Sequence, residues 1–141
     1  MSDETDREYS LLLKPKEYVV GIGMKKDKDE NDAEDFVIAK LRENGIDPRN
    51  VYAIATIDIK AKEPAIRALS SKYRIPVIAF EAAVLSKAAG DFTPSEFVKE
   101  TVGVDNVCER AAYLAAGPSG KIICRKTTGD GITLAIARRQ I

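Results

Sequence analysis

The stretch Val51-Tyr-Ala-Ile-Ala-Thr-Ile-Asp-Ile-Lys-Ala-Lys-Glu63 decides the fold, because seven mostly apolar residues run straight into a cluster of charge. Val51, Ile54 and Ile57, with Tyr52, Ala53 and Ala55 between them, lack the polar alternation of a half-exposed strand, so the segment predicts a strand covered on both faces. Helices must then flank it. In an open α/β sheet, the crevice outside the carboxyl end of such a strand is the usual ligand site. Here that end carries Asp58, Lys60, Lys62 and Glu63.

Working outward, Tyr18-Val-Val-Gly-Ile-Gly23 reads as a strand ending in glycines. Asn31 to Asn44 reads as a helix, with Ala33, Phe36, Val37 and Leu41 at helical spacing. Gly45 stops that helix, and Asp47 to Asn50 turns the chain into the strand at Val51, so the crossover makes the two strands parallel. Beyond the charged loop, Pro64 suits the first turn of a helix that faces Ala65, Ile66, Leu69 and Tyr73 inward, and it holds Glu63 extended. Ile75 to Phe80 predicts a third strand, and Ala82 to Ala89 a short helix halted at Gly90. Thr93-Pro-Ser-Glu96 has the form of a capping box, with Phe92 and Phe97 at the staple positions. Asp105 opens a helix with Val107, Ala111, Leu114 and Ala115 inward, ended by Gly117-Pro118. Lys121 to Arg125, a turn over Thr127 to Gly131, and Ile132 to Ala137 read as a hairpin. Met1 to about Glu17 reads as tail and linker, and residues 18–141 as one α/β domain. The expected architecture is a three-layer α/β/α sandwich around a mixed, mostly parallel sheet with a C-terminal β-hairpin and Val51 to Ile57 near its middle.

Composition limits the chemistry. A chain of 141 residues with 45% hydrophobic residues buries about 68% of its unfolded surface and fills one core without a metal or disulfide. Formal charge is zero, but the first ten residues are acidic, leaving 21 basic against 18 acidic groups in the rest. That small excess suits an anionic small molecule and falls short of a nucleic-acid stripe. Histidine is absent, which excludes Ser-His-Asp and Cys-His catalysis and His-based zinc sites. Any acid or base is therefore Asp, Glu, Lys, Tyr or Cys. Cys108 and Cys124, each among apolar neighbours, read as reduced core thiols. The acidic start and the short Leu11-Leu-Leu13 run lack a secretory signal. The expected compartment is the cytoplasm, with neither nucleic acid nor membrane as a partner.

Gly21-Ile-Gly23 lacks the third glycine of a dinucleotide fingerprint, since Lys26 stands at that place. A glycine turn exposing amides beside Lys25 and Lys26 could still hold an anion, and a tight turn with solvated lysines is the plain alternative. Gly117 to Lys121 is too short between its glycines for a phosphate loop and reads as a turn. Asp58 is either a turn-forming carboxylate or a functional one, Lys60 stands in the same position, and Lys62 reads as surface.

Taken together, these motifs resemble the C-terminal domain of the CbiG family. Gly21-Ile-Gly23 with Lys25 and Lys26 resembles its opening Gly-Ile-Gly-Cys-Arg-Arg, although Met24 and Asp27 stand where the family often has Cys and Gly. Ala55-Thr-Ile-Asp-Ile-Lys60 with Glu63 is similar to its Ala-Thr-Ile-Asp-Leu-Lys run. Thr93 to Val98, Thr101-Val-Gly-Val104, the Ala-rich Ala111 to Ala116 and Gly131 to Arg138 resemble its later signatures.

The resemblance implies cobalamin biosynthesis. Full-length members open the ring-A lactone of cobalt-precorrin-5A and release acetaldehyde. Single-domain CobE-like relatives suggest an alternative, a noncatalytic corrinoid-binding or partner-docking module. The implied ligand is a cobalt-precorrin tetrapyrrole whose many carboxylates call for dispersed cations. No cofactor of the protein's own is expected, because the substrate macrocycle carries the cobalt. A separately encoded CbiG N-terminal domain is the expected partner. Gly21, Gly23, Lys25, Lys26, Lys60, Thr93 and Lys126 are the candidate substrate-binding residues, the lysines placed at loops or strand ends. Lactone opening needs a group to activate water and a positive group near the oxyanion. Asp58 is the candidate base, its carboxyl expected to be desolvated beside the buried strand. Lys60 is the stabilising cation and Glu63 the alternate base.

Overall fold

Six of the seven residues of Val51–Ile57 are buried, and Tyr52 alone reaches the surface, where the Arg139 guanidinium lies over its ring. A computed structural model describes residues 16–88, 92, 106–129 and 131–139. In it, this strand is β2. It follows β1 (Tyr18–Met24), helix α1 (Glu30–Glu43) and a 3-10 turn at Pro48–Asn50. After β2 come a 3-10 turn at Asp58–Lys60, α2 (Pro64–Tyr73), β3 (Val77–Phe80) and α3 (Ala82–Ser86), then α4 (Val107–Ala116), β4 (Lys121–Gly129) and β5 (Ile132–Arg138).

The local chemistry accounts for the boundaries. Asp29 caps α1 by accepting from the Asp32 amide at 2.9 Å, acids fill its first turn and Lys40 and Arg42 its last. Both placements favour the helix dipole. Gly45, at φ 70°, takes the chain out of α1. Pro64 opens α2 behind an extended Glu63, and Arg74 ends it in the left-handed region. The expected strand from Ile75 begins only at Val77, after Ile75 has packed into the core.

The sheet order is β3-β2-β1-β5-β4. β1 pairs parallel with β2, and β2 with β3, while β5 lies antiparallel between β1 and β4. Four strands therefore point one way and β5 points the other. The central place belongs to β1, and β2 lies beside it, near the middle of the sheet as expected. The hairpin is longer than expected, because β4 continues through Thr127, Thr128 and Gly129 before the chain reverses.

Helices cover both faces. Val20, Ile22 and Met24 of β1 join Ile54, Ile132, Leu134 and Ile136 against Val37 and Leu41 of α1 and Ile66 and Leu69 of α2. Val19, Ala55, Ile57 and Ala137 meet Leu85 of α3 and Val107, Ala111, Ala112 and Ala116 of α4. The alternation along β1 that sends Val20, Ile22 and Met24 one way sends Gly21 and Gly23 the other. A Cβ on Gly21 would stand 1.9 Å from the Cys108 carbonyl oxygen and 2.9 Å from the Ala112 methyl. These glycines are thus not the amide-exposing turn expected from sequence. They lie inside β1, Gly21 paired with both β2 and β5 and Gly23 with β5, and the bare backbone at Gly21 lets α4 approach. Among the described residues no helix is long and apolar enough to cross a membrane.

Candidate functional site

Strand order reverses at β1. The chain moves to β2 and β3 on one side, returns through α3 and α4 on the opposite face, and places β5 and β4 on the other side. In open α/β sheets ligands bind outside the carboxyl end of the strand where this happens, which here is the end of β1 at Met24. Lys25 and Lys26 follow at once, both exposed, and neither ammonium has an ion-pair partner among the described residues.

Two tethers organise this edge. The Lys25 amide donates to the Gly131 carbonyl at 2.9 Å, fixing the loop after β1 to the β4–β5 turn. The Asp27 amide donates to Glu63 Oε2 at 3.2 Å, fixing the same loop to the one after β2. Asp27 takes a left-handed conformation at φ 59°, which glycine adopts without penalty and Asp tolerates. The other oxygen of Glu63 stands 4.0 Å from Lys60 Nζ, and both side chains are largely covered, at 11% and 16% exposure. Glu63 therefore serves as a strut between two loops, and Lys60 is its counter-ion.

Asp58 departs from expectation. It begins the 3-10 turn, is exposed, and its carboxylate has no partner among the described residues. The desolvation expected beside a buried strand is not there, because the strand ends at Ile57 and the turn lifts Asp58 clear of the core. Next to it, Ile59 is 61% exposed, a large apolar side chain between Asp58 and Lys60. Lys62 is exposed, as read from sequence. Thr93 and its capping box lie outside the described residues.

Lys126 sits neither in a loop nor at a strand end but within β4. Its amide donates to Glu109 Oε2 at 2.7 Å. Glu109, wholly buried near the start of α4, also meets Arg125 Nη1 at 3.4 Å. Sequence reasoning missed this residue, yet Asn106-Val-Cys-Glu109 has capping-box spacing, and the Asn106 side chain does accept from the Glu109 amide at 3.2 Å. Asn106, not Asp105, caps α4. Beside it Cys108 is buried, and burial pushes its thiol up to about 12, opposed by a hydrogen bond with Thr133. Both cysteines are free, Cys124 only half-buried.

A groove between α1 and α2 is lined by Glu30, Asn31, Glu34, Ser71 and Lys72 among others. Lys72 Nζ stands 2.6 Å from Glu34. With the Tyr73 hydroxyl, it holds the Glu34 carboxyl below the usual carboxylate range, while the Lys72 and Tyr73 groups are held above theirs. In so exposed a setting this is a surface strut of small worth.

The family described as "Cobalamin synthesis G C-terminus" matches residues 18–137. The chain belongs to this CbiG C-terminal family. It is a cobalamin-biosynthesis protein of the CobE and CbiG type. Protein CobE from Sinorhizobium sp is 29% identical over 120 residues, 84% of this chain and 78% of that protein. A cobalt-precorrin-5A hydrolase from Salmonella typhimurium is 30% identical over 124 residues, 88% of this chain but only 35% of that protein. Among solved structures, CobE, a protein from the cobalamin biosynthetic pathway, superposes with TM-score 0.80 at 26% identity, covering 87% of this chain and 90% of that one. The CbiG-type chain thus matches CobE over most of its length and the Salmonella hydrolase over about a third.

Proposed function

We propose that this CbiG-type chain binds a cobalt-precorrin across the crevice outside β1. We propose further that it serves the opening of the ring-A lactone of cobalt-precorrin-5A, with release of acetaldehyde, together with a separately encoded N-terminal domain. The observation that carries the reading is the pair of unpartnered lysines, Lys25 and Lys26, at the point where strand order reverses. A precorrin is a wide apolar ring edged with carboxylates. Solvated ammonium groups can grip those carboxylates without first breaking internal ion pairs, and the exposed Ile59 offers the ring an apolar contact.

For the chemistry, Asp58 remains the candidate base. It stands exposed to water, and a macrocycle lying over it would exclude that water and set the carboxylate against the lactone. Lys60 could stabilise the oxyanion on leaving Glu63. The exposure of Asp58 equally favours the alternative, a corrinoid-binding or docking module of CobE type with no chemistry of its own.

The test mixes the chain with cobalt-precorrin-5A, alone and with a CbiG N-terminal domain, following absorbance and acetaldehyde. Binding should weaken with salt, and replacing Lys25 and Lys26 with alanine should cost about 1–2 kcal/mol of affinity. Asp58→Asn should lower acetaldehyde release by about 10² while leaving binding intact. Unchanged binding in the double lysine variant would move the site elsewhere. Undiminished release from Asp58→Asn would remove Asp58 from the chemistry, and no release from any wild-type combination would leave the binding module.

A further inference from the structure

Glu109 has 0% exposure, yet it carries a carboxylate. A buried charge persists only when hydrogen-bonded or paired, and both partners identified above come from consecutive residues of one strand. The Lys126 amide reaches Oε2 at 2.7 Å and Arg125 Nη1 reaches Oε1 at 3.4 Å. Those residues stand at the second of two places where β4 and β5 fall out of step. From the pair Cys124–Ile136 to the pair Thr127–Leu134, β4 advances three positions and β5 two. A strand with an extra residue leaves part of its backbone without a ladder partner and bends. Here the amide at the bulge is sent to Glu109.

We infer that Glu109 is a positioning residue: by accepting the Lys126 amide it holds the β4 bulge open and so fixes the face of the sheet from which Lys126 meets a carboxylate of the macrocycle. Closing the bulge would shift one flank of β4 by a residue, and a shift of one turns every side chain on that flank to the opposite face. The role assigned to Lys126 rests on the cobalt-precorrin reading, whereas the hold on the bulge does not.

Glu109→Leu keeps the volume and removes both acceptors, while Glu109→Gln keeps one for the Lys126 amide. Hydrogen exchange is read at that amide in each variant, and cobalt-precorrin-5A affinity is read in each variant with and without Lys126→Ala. Exchange at Lys126 should rise at least about tenfold in Glu109→Leu and be largely restored in Glu109→Gln. Affinity should fall about three- to tenfold in Glu109→Leu, as it does in Lys126→Ala, with no further loss when the two are combined. Wild-type protection of the Lys126 amide in Glu109→Leu overturns the inference, as do fully additive affinity losses. If Glu109→Leu does not fold, Glu109→Asp replaces it: its carboxylate falls one methylene short, so it should expose the amide where Glu109→Gln does not, and equal protection in the two overturns the inference. Should Lys126→Ala bind normally while the exchange pattern holds, the bulge stands and the place of Lys126 in the binding reading fails.

Discussion

On the α1–α2 side the sheet presents Val20, Ile22, Ile54, Leu134 and Ile136; on the α4 side it presents Val19, Gly21, Ala55 and Ala137. The first face meets its helices through branched side chains that interlock. The second meets α4 through Gly21 and alanines on the sheet and alanines on the helix, so that at Gly21 backbone approaches backbone. Branched side chains can shift rotamer and share a strain among neighbours, whereas a carbonyl above a glycine cannot move without carrying its helix along. The two faces should therefore tolerate one methyl group very differently.

Gly21→Ala breaks the close face most directly. The new methyl would meet a backbone oxygen at 1.9 Å, which no side-chain change on α4 relieves, and the loss of stability should reach about 3 kcal/mol or more. Urea unfolding measures it, and a loss no greater than that of Ile22→Val would erase the distinction between the faces.

The second effect is alkaline. Burial against the close face raises the Cys108 thiol from 9.0 to about 12, so the unfolded chain releases this proton first. The contribution is complete below about pH 9 and is lost at about 1.4 kcal/mol per pH unit until about pH 12. Unfolding midpoints taken across that window should fall more steeply in the native chain than in Cys108→Ala. Parallel slopes would mean that the close face does not shield the thiol.

The smallest effect belongs to the branched face. Ile22→Val removes a methyl from a residue with 0% exposure and should cost about 1 kcal/mol, with a cooperative transition unchanged in slope. A cost near that of Gly21→Ala would again collapse the comparison.

The same contrast explains what could be read from the residues alone. Apolar blocks at period two and helical stripes at 3.6 carried β1, β2, α1 and α2 almost to the residue, because those patterns are local. The role of Gly21 is not local. A glycine ending a strand and a glycine under a helix look alike until α4, far along the chain, is laid over it. The bonds from Asp27 to Glu63 and from Lys126 to Glu109 likewise join separate segments that only the fold brings together. For Asp58 the sequence shows its place along the chain but not its depth, since one 3-10 turn suffices to carry a side chain from core to solvent. Thr127 and Thr128 read as turn beside Gly129 and Gly131, yet as β-branched residues they favour the strand they extend.

The insertion of β5 between β1 and β4 also sets a timetable. The central strand is the first made, and the strand that completes its second edge is the last, so that Thr133 Oγ1 donates to the Gly23 carbonyl across 110 positions of sequence. During synthesis β1, β2 and β3 can assemble under α1 and α2 while the opposite edge of β1 still presents open amides and carbonyls. Pairings so distant in sequence form slowly. A growing chain must therefore keep that open edge from pairing with other chains until residue 138 has left the ribosome.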